Sequence, residues 1–358
     1  MQTSGAAQKD VSIPKVNNFD ILRLVLAWMV VFYHAALLSK AAQLAWVPTW
    51  SDGTVAVEGF FAISGCLITM SYDRNSNLKD YLIRRAERIL PAYYAATVFV
   101  LVLGVLLTNL SLVKLLTSRR TLSFLAANVV FLGHIHPNLP GVYTGNPLTS
   151  AVNGALWTIK VEVLFYLFVP VFFYLCRRLG KPWVILGLCI GSVVYQAVLT
   201  RLGMVEYARQ LPGQLSFFMI GAAVYFYYPI FRKYSAWMWG ICVASILIYF
   251  AIHIFVFRIV GVSLATLCVG LLLPVFKGPT RYGDFSYGTY VLHYPLIQAF
   301  VALGLFTASA WAGMTACAVA VLILSVLSWN LVEKKFLRRQ RVRRLTLEPI
   351  PITSQDAA

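Results

Sequence analysis

Charge is scarce in this chain: Asp, Glu, Lys and Arg make up only 12% of its 358 residues, where soluble domains carry about a quarter. With 59% hydrophobic residues and a mean hydropathy of +0.74, that scarcity excludes a soluble globular domain and predicts an integral membrane protein. No C-x-x-C pair occurs. The six cysteines (Cys66, Cys176, Cys189, Cys242, Cys268, Cys317) fall within or at the ends of apolar runs, so neither a structural disulfide nor zinc is expected. His134 and His136 lack a third ligand at usual metal spacing, and no metal site is predicted. No small-residue cleavage site follows the first apolar run, and residues 1–18 are polar, so the first helix reads as part of the mature protein rather than a signal peptide. Internal repeats are also missing, which weakens a transporter built from inverted halves.

Acidic residues are the rarer sign, 13 against 30 Lys and Arg, for a net charge of +17. The cations are not spread as a nucleic-acid surface would need. They gather in short blocks between apolar runs: Arg84/Arg85/Arg88, Arg177/Arg178/Lys181, Arg232/Lys233, Lys277/Arg281 and Lys334 to Arg344. That distribution is the positive-inside signal, so no nucleic-acid partner is expected and the charge reports orientation.

Runs long enough to span occur near 20–38, 53–71, 89–108, 155–176, 182–200, 212–229, 236–256, 259–276, 285–304 and 310–332. An eleventh, Thr121 to His134, is about 14 residues long and suits a re-entrant or interfacial segment better than a span. If it does not cross, all five basic blocks share one face. The predicted fold is therefore all-α, a polytopic transmembrane bundle of about ten spans with one short re-entrant or interfacial segment. The expected organisation is a cytoplasmic tail over 1–18, a transmembrane domain over 19–337 and a basic, disordered cytoplasmic tail over 338–358, with both termini in the cytoplasm. Residues 109–154 form one long excursion on the other face, turn-rich and without charge from His136 to Asn153.

Within the first apolar run stand Arg23 and His34. A central Arg costs ~2.5 to 3.5 kcal/mol on insertion scales, so intramembrane ionisable groups tend to mark sites. Eleven residues amount to about three turns plus 20°, which puts both side chains on one face about 16 Å apart. Glu58, in the first turns of the second helix, falls near the depth of His34 and could fix its tautomer as the carboxylate of an acid/base pair, or merely hold the helices together. Glu162 and Lys160, two apart at the start of the fourth helix, point to different faces. Glu162 could meet an Arg or a substrate hydroxyl; Lys160 is long enough to snorkel outward. Arg84, Arg85 and Arg88 are helix neighbours that would suit phosphates bidentately, or anchor to anionic headgroups. His293 is a further intramembrane histidine, just before Pro295.

In order along the chain come Arg23 with ten residues before His34, Val57-Glu-Gly-Phe-Phe-Ala-Ile-Ser64-Gly65, Arg85-x-x-Arg88 before Ile-Leu-Pro, Leu156-Trp-Thr-Ile-Lys-Val-Glu162, Ser286-Tyr-Gly-Thr-Tyr-Val-Leu-His293-Tyr-Pro and Leu331-Val-Glu333-Lys. This ordered set, over about residues 17 to 337, resembles the membrane-bound acyltransferase family 3, bacterial inner-membrane O-acyltransferases that decorate lipopolysaccharide, exopolysaccharides, peptidoglycan and small molecules. The resemblance implies an acyl group, usually acetyl from cytoplasmic acetyl-CoA, carried to a hydroxyl at the outer face. His34 matches the essential His and Arg23 its partner, while Arg85 with Arg88 match the paired arginines. Glu58 stands where the family more often has Asp, and Lys160 where a small residue is commoner. Unlike the fused members of the family, this chain is expected to act without an esterase-like periplasmic domain.

The expected enzyme is thus a membrane O-acyltransferase with acyl-CoA as co-substrate and a surface saccharide or glycolipid as acceptor. The expected roles are His34, Glu58 and Glu162 in catalysis, Arg23, Arg84, Arg85 and Arg88 on the donor, and Trp157, Lys160 and His293 on the acceptor. The rival reading is a transporter or flippase in which Arg23, His34, Glu58 and Glu162 line a solute or proton path.

Overall fold

The computed structural model describes residues 12–276 and 278–337; the expected tail over 338–358 and most of that over 1–18 lie outside them. Among the described residues no strand occurs, and ten long helices form one bundle: α1 (Phe19–Ser39), α2 (Gly53–Arg74), α3 (Leu78–Leu107), α4 (Trp157–Leu179), α5 (Lys181–Arg201), α6 (Leu211–Phe226), α7 (Ser235–Ile252), α8 (Phe255–Leu272), α9 (Ser286–Ala302) and α10 (Ala310–Ser328). Eight of the helical stretches are long and apolar enough to cross a membrane. The exceptions are α6 and α9, of 16 and 17 residues, and both are packed inside the bundle along most of their length. Lipid replaces water as the solvent of the outer helices. Only 11% of the apolar window of α7 is buried, against 72% for the stretch containing α2, and the exposed remainder of α7 includes Trp237, Leu247 and Phe250.

Between apolar helices there is no hydrophobic drive to pack, so close backbone approach and polar stitching take over. At the α2/α6 contact Gly65 lies against the Phe218 carbonyl and Gly221 against that of Ala62, and a Cβ at either would collide with backbone. Asn18 ties the start of α1 to the end of α8. Its Nδ2 donates to the carbonyls of Leu273 and Pro274 at 3.2 and 3.0 Å, and its Oδ1 accepts from Phe276 N at 2.8 Å. Internal prolines each strip a donor from a carbonyl four residues back. Pro170 in α4 orphans the Tyr166 carbonyl, which accepts from Tyr81 Oη at 3.1 Å, and Pro295 in α9 orphans that of Val291, which accepts from Asn153 Nδ2 at 3.0 Å.

The helix Arg119–Val129 has 11 residues, about 16 Å, half of a ~30 Å hydrocarbon core. Its last turn meets the middle of α3, where Tyr93 Oη donates to Asn128 Oδ1 at 3.0 Å and Tyr94 Oη to the Val129 carbonyl at 3.1 Å. Packed beside α3, it is too short to cross, as expected of a re-entrant or interfacial segment. The irregular chain that follows is partly exposed and packs its buried side chains against the bundle, and irregular backbone within a bundle needs partners for its polar groups. Those partners are on α9. Tyr143 Oη donates to the Pro295 carbonyl at 3.3 Å, Asn146 Nδ2 to Gln298 Oε1 at 2.7 Å, and Gln298 Nε2 to the carbonyls of Thr149 and Ala151, each at 2.8 Å. As a result α4 begins within the bundle, with Thr158 Oγ1 2.7 Å from Tyr290 Oη of α9.

Candidate functional site

Arg23 and His34 share one stripe of α1, as their spacing predicts, and that stripe faces α9. Arg23 lines a pocket together with Ser286, Tyr287 and Tyr290 of α9, and His34 Nδ1 lies 3.0 Å from His293 Nε2. The pocket has about 530 Å³ of empty space including its mouth, and is completed by Val57, Phe60, Phe61 and Ser64 of α2, Arg88 of α3, and Thr158, Ile159 and Glu162 of α4. Its cationic part lies at the end of the bundle where α2 finishes and α3 and α9 begin. At its apolar head the Tyr290 ring centre is 5.7 Å from those of both Phe60 and His293, so His293 stands next to the lining, with His34 bonded behind it.

The hydrogen bonds of the histidine pair assign its protons. His293 Nδ1 is 2.6 Å from the Tyr290 carbonyl, which can only accept, so Nδ1 carries the hydrogen and Nε2 the lone pair. His34 Nδ1–H then donates to His293 Nε2, leaving His34 Nε2 as the basic nitrogen. His293 is fully buried, whereas His34 keeps accessible surface. One histidine is held as an acceptor by backbone, and it holds the other with its lone pair outward.

The expected pairing of His34 with Glu58 is not what forms. Glu58 accepts from Arg258 Nε at 3.0 and 2.9 Å through its two oxygens, and Arg258 also reaches Asp52 Oδ2 and Tyr249 Oη, each at 3.4 Å. A carboxylate so close to a guanidinium outcompetes any pull from a neutral imidazole. Arg258 was hidden from the sequence reading because it falls between the apolar runs 236–256 and 259–276; as an ionisable residue flanked by two spans it was nevertheless a visible signal.

Nor do the three arginines of α3 form one fork. Arg84 donates to the Asn75 carbonyl at 3.4 Å, and Arg85 to Ser71 Oγ at 2.8 Å while its guanidinium lies over the rings of Tyr81 and Tyr166. Arg88 pairs with Asp284, a residue the sequence gave no reason to choose, which also accepts from Ser286 N at the start of α9. Burial alone would raise the Asp284 carboxyl, but Arg88, aided by Arg23, overrides it and holds the group below the usual carboxylate range. Arg23 itself is only loosely matched, 3.8 Å from Asp20.

Glu162 faces the pocket and accepts from Tyr166 Oη at 2.6 Å, one turn along α4. Lys160 reaches the segment after the short helix Arg119–Val129, its Nζ 3.1 Å from His134 Nε2. Burial and the Lys160 charge together keep the His134 imidazole below its ordinary titration range. Trp157 is half-buried against the main core, away from the pocket lining. Among the described residues no three His, Cys, Asp or Glu side chains gather as a metal ion would require.

Fold and pocket define a multi-pass membrane protein with a cavity lined by two arginines and a glutamate, and a hydrogen-bonded histidine pair next to its aromatic wall. The chain belongs to the acyltransferase domain family, which matches residues 16–330, and it is a membrane acyltransferase. It is 30% identical over 343 residues to the O-acetyl transferase of Shigella phage Sf6, covering 91% of this chain and 97% of that protein. It is 28% identical to the exopolysaccharide production protein ExoZ of Rhizobium meliloti, covering 82% and 92% of the two chains, and 27% identical to nodulation protein 10 of Rhizobium leguminosarum bv. viciae, covering 89% and 92%. No solved structure matches the chain.

Proposed function

We propose that this protein moves an acetyl group from cytoplasmic acetyl-CoA to a hydroxyl of a surface or lipid-linked saccharide at the outer face of a bacterial inner membrane. The observation that carries the reading is the chain Tyr290 carbonyl, His293, His34, which leaves a lone pair on His34 Nε2 just past the apolar head of the pocket. The basic blocks favour the pocket's mouth as the cytoplasmic end and both termini on that side. Relatives named for O-acetyl transfer and exopolysaccharide production support the acyl group and the acceptor class.

Coenzyme A is an anion that does not cross a bilayer unaided, so its phosphates stay at the mouth. There Arg23 is the least committed cation of the lining, and Arg84, Arg85 and Arg88 add positive field. The extended arm of the donor then follows the pocket inward. Arg23 and His34 are eleven residues apart on one helix, a rise of about 16 Å, comparable to that arm. His34 Nε2 takes the proton of the acceptor hydroxyl as its oxygen attacks the thioester carbonyl. The ester C–O bond forms, the C–S bond breaks, and the proton passes from His34 to the departing thiolate, leaving free coenzyme A. His293 steadies the imidazolium by accepting a hydrogen bond from its Nδ1–H throughout. Glu162, in the pocket wall and held by Tyr166, is placed to meet a polar group of the donor arm, whereas Glu58 holds α2 to α8.

The test is mass spectrometry of cell-surface saccharides from strains carrying wild type, His34→Ala or no copy. An acetyl-sized mass difference seen only with wild type supports the reading. The same difference in the His34→Ala strain overturns the role of His34.

A further inference from the structure

The head of the pocket is walled by rings set edge to face. Phe60 of α2 meets Tyr290 of α9 at 5.7 Å between centroids and 75° between planes, and Val57, Phe61 and Ile159 complete the apolar lining. This wall is stiff. The Tyr290 hydroxyl is tied to Thr158 Oγ1 at 2.7 Å, Thr158 Oγ1 is tied to the Ala155 carbonyl at 3.0 Å, and Tyr290 and Thr158 are both buried. Phe61 is itself wedged edge to face against the buried ring of Phe165, 5.4 Å between centroids. The polar lining includes Arg23, Arg88, Glu162 and Ser286, with Ser286 opening α9 and Tyr290 one turn further along it, where its ring adjoins that of His293.

A thioester that enters from the mouth and offers its carbonyl to a nucleophile activated at His34 must set its acyl tail against these rings. A protein interior packed at crystal-like density does not absorb added methylenes without displacing side chains. Tyr290 cannot swing aside without breaking its bond to Thr158, and Phe61 is pinned by Phe165. Phe60 is the member of the wall that is only partly buried, so its ring sets how much tail fits.

We propose that Phe60, backed by Tyr290, is the gauge of acyl-chain length and restricts the donor to a two- or three-carbon acyl thioester. The inference rests on the acyl-CoA donor of the proposed function and adds the residue that sets the size of the group transferred. Rejection of each further methylene by a fixed hydrophobic wall is worth about tenfold or more.

The test uses the purified full-length protein in lipid nanodiscs, titrated calorimetrically with acetyl-, butyryl- and hexanoyl-CoA and with free coenzyme A as the reference ligand that has no tail. For wild type, hexanoyl-CoA is expected to bind at least tenfold more weakly than acetyl-CoA. In Phe60→Ala that ratio should collapse or invert. Phe60→Leu keeps most of the apolar volume, which guards against loss of folding, and should fall between them. A hexanoyl to acetyl ratio within twofold of wild type in both variants, in protein that still binds free coenzyme A, overturns the gauge and leaves the proposed function standing. Wild type that binds none of the four ligands removes the donor and overturns both.

Discussion

Two polar clusters are buried in this bundle, and they are satisfied to different degrees. On α2 and α8, Glu58 and Arg258 meet through both carboxylate oxygens, with Asp52 and Tyr249 around the same guanidinium. Between α1 and α9, His34 and His293 are joined by a single bond, with neutral tautomers and no carboxylate, and the chain ends in an uncommitted lone pair. The first cluster closes on itself and holds α2 to α8. The second has capacity left over, facing accessible space beside a pocket. In a low-dielectric interior an ion pair consumes its own reactivity, whereas a histidine held by another histidine keeps it.

The comparison is tested most severely at His34. Loss of a general base usually costs about 10² to 10⁴ in rate, and His34→Ala should stand at the top of that range in acyl transfer by isolated membranes, with normal insertion. His293 acts only by positioning, so His293→Ala should cost about 10². His293→Gln, whose side-chain carbonyl can still accept from His34 Nδ1–H, should recover part of that loss; equal losses in the two variants would contradict the proton assignment. Glu58→Gln should do the opposite of both. Breaking a buried pair costs about 3–5 kcal/mol, so thermal unfolding should fall sharply while transfer per folded molecule is kept. An apolar pair at 58 and 258 should restore stability.

The smallest effect concerns Lys160 and His134. His134 titrates below its ordinary range because of burial and the Lys160 charge. A histidine whose folded value is depressed contributes stability at higher pH and loses it as pH falls through that value. Wild type should therefore lose thermal stability between about pH 6.5 and the lower folded value, and Lys160→Met should lose less over the same window. A steeper loss in the variant would show that this contact is not what holds His134 neutral.

Much of this was legible in the sequence because helix geometry is local. The eleven-residue spacing of Arg23 and His34 placed both on the stripe that faces α9, and the shortness of the run 121–134 announced a helix too short to span. Tertiary choices were not legible. The partner of His34 lies 259 positions away, and depth alone could not choose between Glu58 and His293. Depth matched Glu58 to His34, but Arg258 offers it a charge-assisted bond from Nε shared between both carboxylate oxygens. Arg88 was recognised as a functional position, yet its counter-ion comes from Asp284 in the short connection before α9, where periodicity carries no signal. The spans α6 and α9 came out shorter than their apolar runs because turns at Tyr227 and Leu303 end the helices before the hydrophobicity ends.

The central claim is that the histidine pair does chemistry and the ion pair does not. The most direct test is the acyl-transfer rate per folded molecule in membranes carrying His293→Ala beside membranes carrying Glu58→Gln. A rate about a hundredfold lower in the first and near wild type in the second is predicted. Full activity in His293→Ala together with loss in Glu58→Gln would contradict the account and return the orienting role to the carboxylate.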